Sequence, residues 1–300
     1  MAGITGKDAT LSQYADRLAS EAPKGRSLTQ DALRRLFANK AALASIFILL
    51  AVVLLAFIGP HFLPWTYDKI DWSWIRKGIA VDKGHFFGTD QNGRDMLART
   101  LQGTQMSLIV AAVATGVSVV IGVIYGAVAG YFGGRVDAVM MRFVDIMYAL
   151  PYILFVIILV VIFGRSPILL FVGIGALEWL TMARIVRGQT LSLKQREFVE
   201  AARAGGARPF TIIFRHIVPN LTGPVVIYAT LTVPEIIITE SFLSYLGLGV
   251  QEPQTSLGTL ISFGAPVAEA LPWMLYTPAF FLVLMLVCFS YLGDGLRDAL

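Results

Sequence analysis

Apolar runs recur along the chain at about 41–63, 106–129, 136–163, 168–186, 221–246 and 274–291, and the polar stretches between them hold most of the lysines and arginines. A helix of about 20 residues crosses a bilayer's hydrocarbon core, so the pattern predicts an all-α polytopic membrane fold with six transmembrane helices. The second run is rich in glycine and alanine, which let membrane helices approach closely. The third carries Asp145 and, at Pro151, an expected kink; the fourth is interrupted by Glu178; the fifth contains Glu235 and Glu240. Four regions follow. Residues 1–40 form a polar N-terminal segment, 41–63 the first span, 64–100 a long polar loop, and 101–300 a five-span core. Within the first region, Ser27 and Gln30 make a capping-box pattern ahead of an amphipathic helix to Phe37. Leu28, Leu33, Leu36 and Phe37 lie on one side, with Arg34 and Arg35 on the other. That helix is either an interfacial or partner-binding element or a lead-in to the first span.

The stretch 194–220 breaks the apolar pattern. It is polar and basic, and its grammar is two short helices around a bend. Good helix formers run from about Lys194 to Ala204, Gly205-Gly206 supplies the stop, and Pro209 restarts a helix at its first turn, where a missing N–H costs nothing. Phe210, Ile213, Phe214 and Ile217 are expected on one face of the second helix, and Pro219 closes it.

Composition agrees with the pattern: 56% hydrophobic and 15% charged residues, with a mean hydropathy of +0.69, lie far from soluble averages. The net charge of +4 is therefore a topology signal and not a sign of nucleic-acid binding. With the N-terminus inside, 17 of the 24 lysines and arginines fall on inner segments, which places both termini and the 194–220 loop in the cytoplasm. The first apolar run begins only near Ala41 and is too long for a signal sequence, so none is expected. Cys288 is the single cysteine, and His61, His85 and His216 lack ligand spacing, so neither a disulfide nor a metal site is expected. Trp65, Tyr67, Trp72 and Trp74 fit an interfacial belt or loop packing, with ligand binding as the alternative.

No G-x-x-x-x-G-K-[ST] phosphate loop and no hydrolytic constellation occurs, so the chain is not expected to be an enzyme. The membrane carboxylates Asp145, Glu178, Glu235 and Glu240 should face the bundle or a wet path. They either line a substrate pathway or make helix-end and interhelical hydrogen bonds. The two readings stand equal for Glu235, while Glu240 and Asp145 suit structure. None has an evident basic partner, which speaks against a proton relay and hence against an ion-coupled secondary transporter.

Glu200-Ala201-Ala202, then Gly206, then a short helix closing on Pro219 resembles the EAA loop of permease subunits of binding-protein-dependent ABC importers, whose helix docks into a groove of a cytoplasmic ATPase. A carboxylate followed by two alanines makes a helix with a thin face that enters a groove. The resemblance assigns ATPase coupling to Glu200, Ala201, Ala202, Gly206 and Pro209. The family's motif ends I-x-L-P, where this chain has His216-Ile217-Val218-Pro219. Further matches run in order along the chain: Phe87-Gly88-Thr89-Asp90 with Gly93-Arg94-Asp95, Met182 to Gln189, Glu240-Ser241-Phe242-Leu243, Gly247-Leu248-Gly249, and Gly293 to Asp298. Together they look like the C-type permease subunits of bacterial oligopeptide and dipeptide importers, although members usually run on a few polar residues past the position of Leu300.

The resemblance implies a type I ABC importer permease fold in the bacterial inner membrane. It implies a complex with a second permease subunit, two ATPase subunits that hold ATP and magnesium, and an extracytoplasmic peptide-binding protein. No cofactor is implied in this chain. Alternating access would move a peptide substrate through the permease pair. Asp90 and Arg94 are then candidate docking contacts for the binding protein, or else a turn-stabilising salt bridge. Dipeptide, glutathione and nickel importers share these signatures and stand as alternatives.

Overall fold

The computed structural model describes residues 28–163 and 167–300; the expected N-terminal segment before Leu28, with Ser27 of the capping pattern, lies outside them. Every extended element among the described residues is a helix, and the loop 64–95 adds a 3-10 turn at Val81–Lys83 and isolated β-bridges such as Ile70 to Arg94. Helix α1 (Leu28–Ala38) buries Leu36 against Ala42 and Ala299 while Leu33 and Phe37 stay exposed beside Arg34 and Arg35. Asn39 then starts α2 (Lys40–Ile58), its side chain accepting from the amides of Ala41 and Ala42. That satisfies donors which a helix start otherwise leaves unpaired.

Helix α3 (Met96–Phe132) is the axis of the fold. Its 37 residues extend for about 55 Å at the rise of an α-helix, well beyond a hydrocarbon core of about 30 Å. One end rises out of the 64–95 loop, where Asp95 accepts from Ala98 N at 2.7 Å and caps it. The other end reaches the 194–220 stretch. Then follow α4 (Gly134–Ala149), α5 (Tyr152–Phe163), α6 (Pro167–Leu193), α7 (Glu197–Ala204), the single turn α8 (Pro209–Ile212), α9 (Thr222–Tyr245), α10 (Leu257–Gly264) and α11 (Trp273–Ala299). The main core gathers Val110 and Ala114 of α3, Ile174 of α6, Ile236 and Leu243 of α9 and Met285 of α11. Many large apolar side chains point outward, among them Phe47, Val120, Val139 and Phe280. Exposure on this scale suits lipid and not water.

Among the described residues, four helices are long and apolar enough to cross a membrane, or five if a bent pair counts as one span, where the sequence pattern predicts six. Helix α6 contains the expected fourth run and carries Glu178, Arg184 and Arg187. The third run is also not one kinked helix. It breaks at Leu150-Pro151 into α4 and α5, which meet at 81°. Proline's ring and missing N–H turn the expected kink into a corner.

The closest helix pair is α3 with α6, and glycine makes it possible. A Cβ placed on Gly122, Gly126 or Gly130 would lie 2.6 Å from Met182 Cβ, 2.4 Å from Ala183 O and 2.7 Å from Thr190 Cβ. These three positions, four apart, form one small-residue stripe. Gly126→Val therefore has no room, and is expected to separate the two helices at a cost of about 1–3 kcal/mol or more. The check is the melting temperature and yield of the purified protein, with Gly116→Ala, where a Cβ meets nothing within 4 Å, as the neutral control.

Candidate functional site

The 194–220 stretch folds as a bend fixed by its backbone. At the end of α7, Gly206 N donates to Arg203 O and Ala207 N to Ala202 O, with Gly206 at φ +78°. This is the paired closure of a helix that needs a left-handed residue, and glycine enters that region without a Cβ penalty. Pro209 opens α8 at its first position, after Arg208 in extended conformation. Helix α7 starts at Glu197 rather than near Lys194, because α6 continues to Leu193 and three residues of turn intervene.

The loop is tied to the long helices below it. Val199, Ile212, Ile213, Ile217 and Leu221 are buried in one cluster with Val123 and Ala127 of α3 and Met182 and Val186 of α6. Lys194 Nζ donates to Gly130 O at 2.9 Å, Phe132 meets Phe210 edge-on at 6.1 Å, and the Arg203 guanidinium lies 5.7 Å from the Tyr131 ring. The three residues of the motif divide by face. Glu200 and Ala201 are exposed, while Ala202 is half-buried against the cluster. The expected apolar face of the second helix is not regular: a π turn at Ile213–Ile217 widens the spiral. Ile213 and Ile217 therefore turn inward, and Phe210 and Phe214 stand 58% and 49% exposed. The surface presented to solvent is thus Glu200, Ala201, Phe198, Phe210 and Phe214, on a base fixed to α3 and α6.

The carboxylates of the apolar runs have separate settings. Glu240, fully buried on α9, accepts from Ser107 Oγ of α3 at 2.9 Å and from Ser244 Oγ at 2.7 Å. It is an interhelical tie. Glu240→Ala should leave both hydroxyls without that acceptor and cost about 1–3 kcal/mol, with Glu240→Gln costing less; thermal unfolding of the purified protein checks the order. Asp145 does have a basic partner, contrary to the sequence reading: Arg184 Nη2 lies 2.7 Å from its Oδ1, and the same guanidinium stacks on Tyr148 at 4.1 Å. Glu178 lines a cavity of about 130 Å³ with Tyr148, Tyr152 and Thr181, within electrostatic reach of Glu235, which is exposed on α9.

The 64–95 loop is held by two buried polar centres. His85, fully buried, lies between Asp95 Oδ2 at 2.9 Å and Asp71 Oδ2 at 3.3 Å, with Trp65 stacked on its ring at 4.8 Å. Trp65 also donates to Lys83 O, Trp74 to Gly78 O and Trp273 to Thr89 O, so these three indoles pack the loop while Trp72 is exposed. In the second centre Asp90 accepts from the amides of Asn92 and Arg94 through Oδ1 and from Arg94 Nε through Oδ2. Arg94 reaches on to Glu252 Oε1 at 2.7 Å, and Arg99 of α3 stands 3.3 Å from Asp90 and 3.5 Å from Glu252. Asp90 and Arg94 are thus 4% and 7% exposed. Neither Glu252 nor Arg99 was legible from local sequence as part of this centre.

The hydrogen bond from Arg94 holds the Glu252 carboxyl below its ordinary range, and the Ser73 hydroxyl does the same for Asp71; burial pushes Asp95 up, against the bond from the Ala98 amide. A depressed carboxyl contributes stability that is complete above its ordinary pKa and is lost as pH falls through its folded value. The contributions of Glu252 and Asp71 are therefore present at neutral pH and disappear below about 4, while that of Asp95, raised by burial, has the opposite sign. Amide exchange across 84–95 is expected to accelerate in acid less in Glu252→Gln than in wild type.

Residues 118–300 match the family described as binding-protein-dependent transport system inner membrane component, and residues 27–78 match the N-terminal transmembrane domain of oligopeptide transport permease C. The oligopeptide transport system permease protein OppC of Haemophilus influenzae is 52% identical over 290 residues, covering 97% of this chain and 93% of that protein. Its counterpart in Escherichia coli K12 is 50% identical over 97% of this chain and 95% of the relative. The dipeptide transport system permease protein DppC of Bacillus subtilis is 44% identical over 97% and 91%. Among solved structures, an inward-facing MetNI methionine ABC transporter superposes with a TM-score of 0.56 at 19% identity, over 68% of this chain and 98% of that one, a likeness of fold.

Proposed function

The chain belongs to the family of binding-protein-dependent transport system inner membrane components, and we propose that it is the permease subunit through which an ATP-driven importer moves oligopeptides inward. The observation that carries the substrate class is identity above half, across nearly the whole length, with an oligopeptide permease. The dipeptide permease at 44% identity keeps shorter peptides as the second reading.

In this reading the 194–220 loop and both chain termini face the cytoplasm, a placement supported by the distribution of lysine and arginine, and the 64–95 loop faces outward. The permease is not itself catalytic. ATP and magnesium belong to two ATPase subunits, and one of them receives Glu200, Ala201, Phe210 and Phe214 in a groove. Movement of that groove pushes on α7 and α8, and their buried side chains carry it to α3 and α6. Because the glycine stripe locks these two helices together, they move as one body, which is the rigid element that alternating access needs. A second permease subunit completes the pathway, and Glu178 and Glu235 are the carboxylates of this chain available to a peptide's ammonium group.

The test is uptake by proteoliposomes holding the full complex and its binding protein, with peptides of graded length. ATP-dependent accumulation that favours peptides longer than two residues is the expected result. Uptake driven by an ion gradient with the ATPase subunits absent would overturn the reading, and a preference for two-residue peptides would select the dipeptide alternative.

A further inference from the structure

Among the described residues, Arg99 is the charged side chain that leaves buried donors without a hydrogen-bond partner. Its side chain is 1% exposed, yet Nε and Nη1 find no hydrogen-bond acceptor in the protein. Nη1 stands 3.3 Å from Asp90 Oδ2 as an ion pair only, and Nη2 makes one long contact of 3.5 Å with Glu252 Oε1. A guanidinium has five N–H donors in a planar fork, and buried donors are ordinarily paired. Arg99 borders a cavity of about 190 Å³ whose wall also includes Arg94, Asn92, Leu260, Phe263 and Met274.

The two carboxylates at this cavity differ in how firmly they are held. Asp90 is committed to its turn by two backbone amides and Arg94 Nε. Glu252 is 44% exposed, sits in the segment between α9 and α10, and offers Oε1 to both arginines. Two guanidinium charges against one fixed carboxylate leave room for one further anion, and Glu252 fills that place imperfectly. We propose that the Arg94–Arg99 cavity is a carboxylate-binding site which Glu252 occupies in the resting chain and surrenders to an incoming carboxylate. The ligand class is a carboxylate on a short apolar stem: the charge takes the planar fork of Arg99, and Leu260, Phe263 and Met274 take the stem. Within the importer reading, on which this role rests, such a group comes either from an acidic side chain of the binding protein or from the peptide's own C-terminus. Exchange frees the α9–α10 segment from the 64–95 loop, so arrival of the ligand is felt at α9.

Binding itself is tested without transport, so its failure is distinct from failure of the importer reading. The probe is N-acetylphenylalanine, with its amide as control, titrated by calorimetry into the purified assembled complex. Removing the resident competitor raises the competent fraction of sites. Glu252→Gln, a half-exposed position, is expected to tighten the acid by about tenfold or more and to leave the amide non-binding, while Arg94→Gln in the Glu252→Gln background weakens the acid again. An acid that binds wild type and Glu252→Gln equally, or binds neither while the complex stays assembled, overturns the site. The source is then read from ATP hydrolysis stimulated by loaded binding protein. A lowered half-saturation in Glu252→Gln for free-acid and amidated peptide alike assigns the carboxylate to the binding protein, and a lowering for the free acid alone assigns it to the peptide. No change for either overturns the exchange.

Discussion

Gly206→Asp is expected to abolish peptide-stimulated ATP hydrolysis, by more than tenfold, while the permease still assembles in the membrane. The position has open space around it, with nothing within 4 Å of an added Cβ, so crowding is not the cause. The cause is φ at +78°, where an L-residue carries a penalty of roughly 1–2 kcal/mol. A new carboxylate also falls beside the last turn of α7, where the helix dipole disfavours negative charge. The closure through Gly206 N and Ala207 N opens, and α8 with Phe210 loses its fixed angle to α7. Gly206→Ala, carrying the φ penalty without the charge, should reduce stimulation only partly. Stimulation and uptake are measured on the reconstituted complex, with gel filtration to show that it remains whole. Full stimulation in Gly206→Asp would remove the bend from the coupling route.

His85→Leu is expected to loosen the whole 64–95 loop. The imidazole is fully buried and joins Asp71 to Asp95, and Asp95 also caps α3. Leucine fills a similar volume but leaves the Asp95 carboxylate, 1% exposed, without a partner on that side. Bonds to charged groups are worth about 1.5–3 kcal/mol each, enough to release the loop from its closed form. Limited proteolysis should then cut between Trp65 and Asp95 in the variant and spare the wild type. His85→Gln, which keeps a donor, should be intermediate. Equal resistance in all three would mean that the loop is held by its tryptophans alone.

The parts of this fold legible in the sequence are those that depend on neighbours in the chain. Apolar runs mark the helices, Gly205-Gly206 and Pro209 mark the bend, and a glycine- and alanine-rich run marks the close helix pair. What escaped is long-range or depends on a small change in helical pitch. The π turn at Ile213–Ile217 adds a residue to the spiral, so Phe214 faces solvent although a regular helix places it beside Ile217. Leu150-Pro151 reads as a kink, where the structure has an 81° corner between α4 and α5. Glu240 pairs with Ser107, 133 residues away, and Arg99 with Glu252, 153 residues away. No local spacing announces such pairs. Asp145 looked unpartnered for the same reason, because Arg184 reaches it from another helix.

Coupling through the 194–220 loop is the central claim, and peptide-stimulated ATP hydrolysis by the reconstituted complex with its binding protein tests it most directly, comparing wild type with Glu200→Arg. Glu200 is exposed near the start of α7, so the substitution reverses a surface charge without disturbing the buried base of the loop. Stimulation lost while the complex stays assembled is the expected result. Unchanged stimulation would contradict the account and return attention to the membrane carboxylates Glu178 and Glu235.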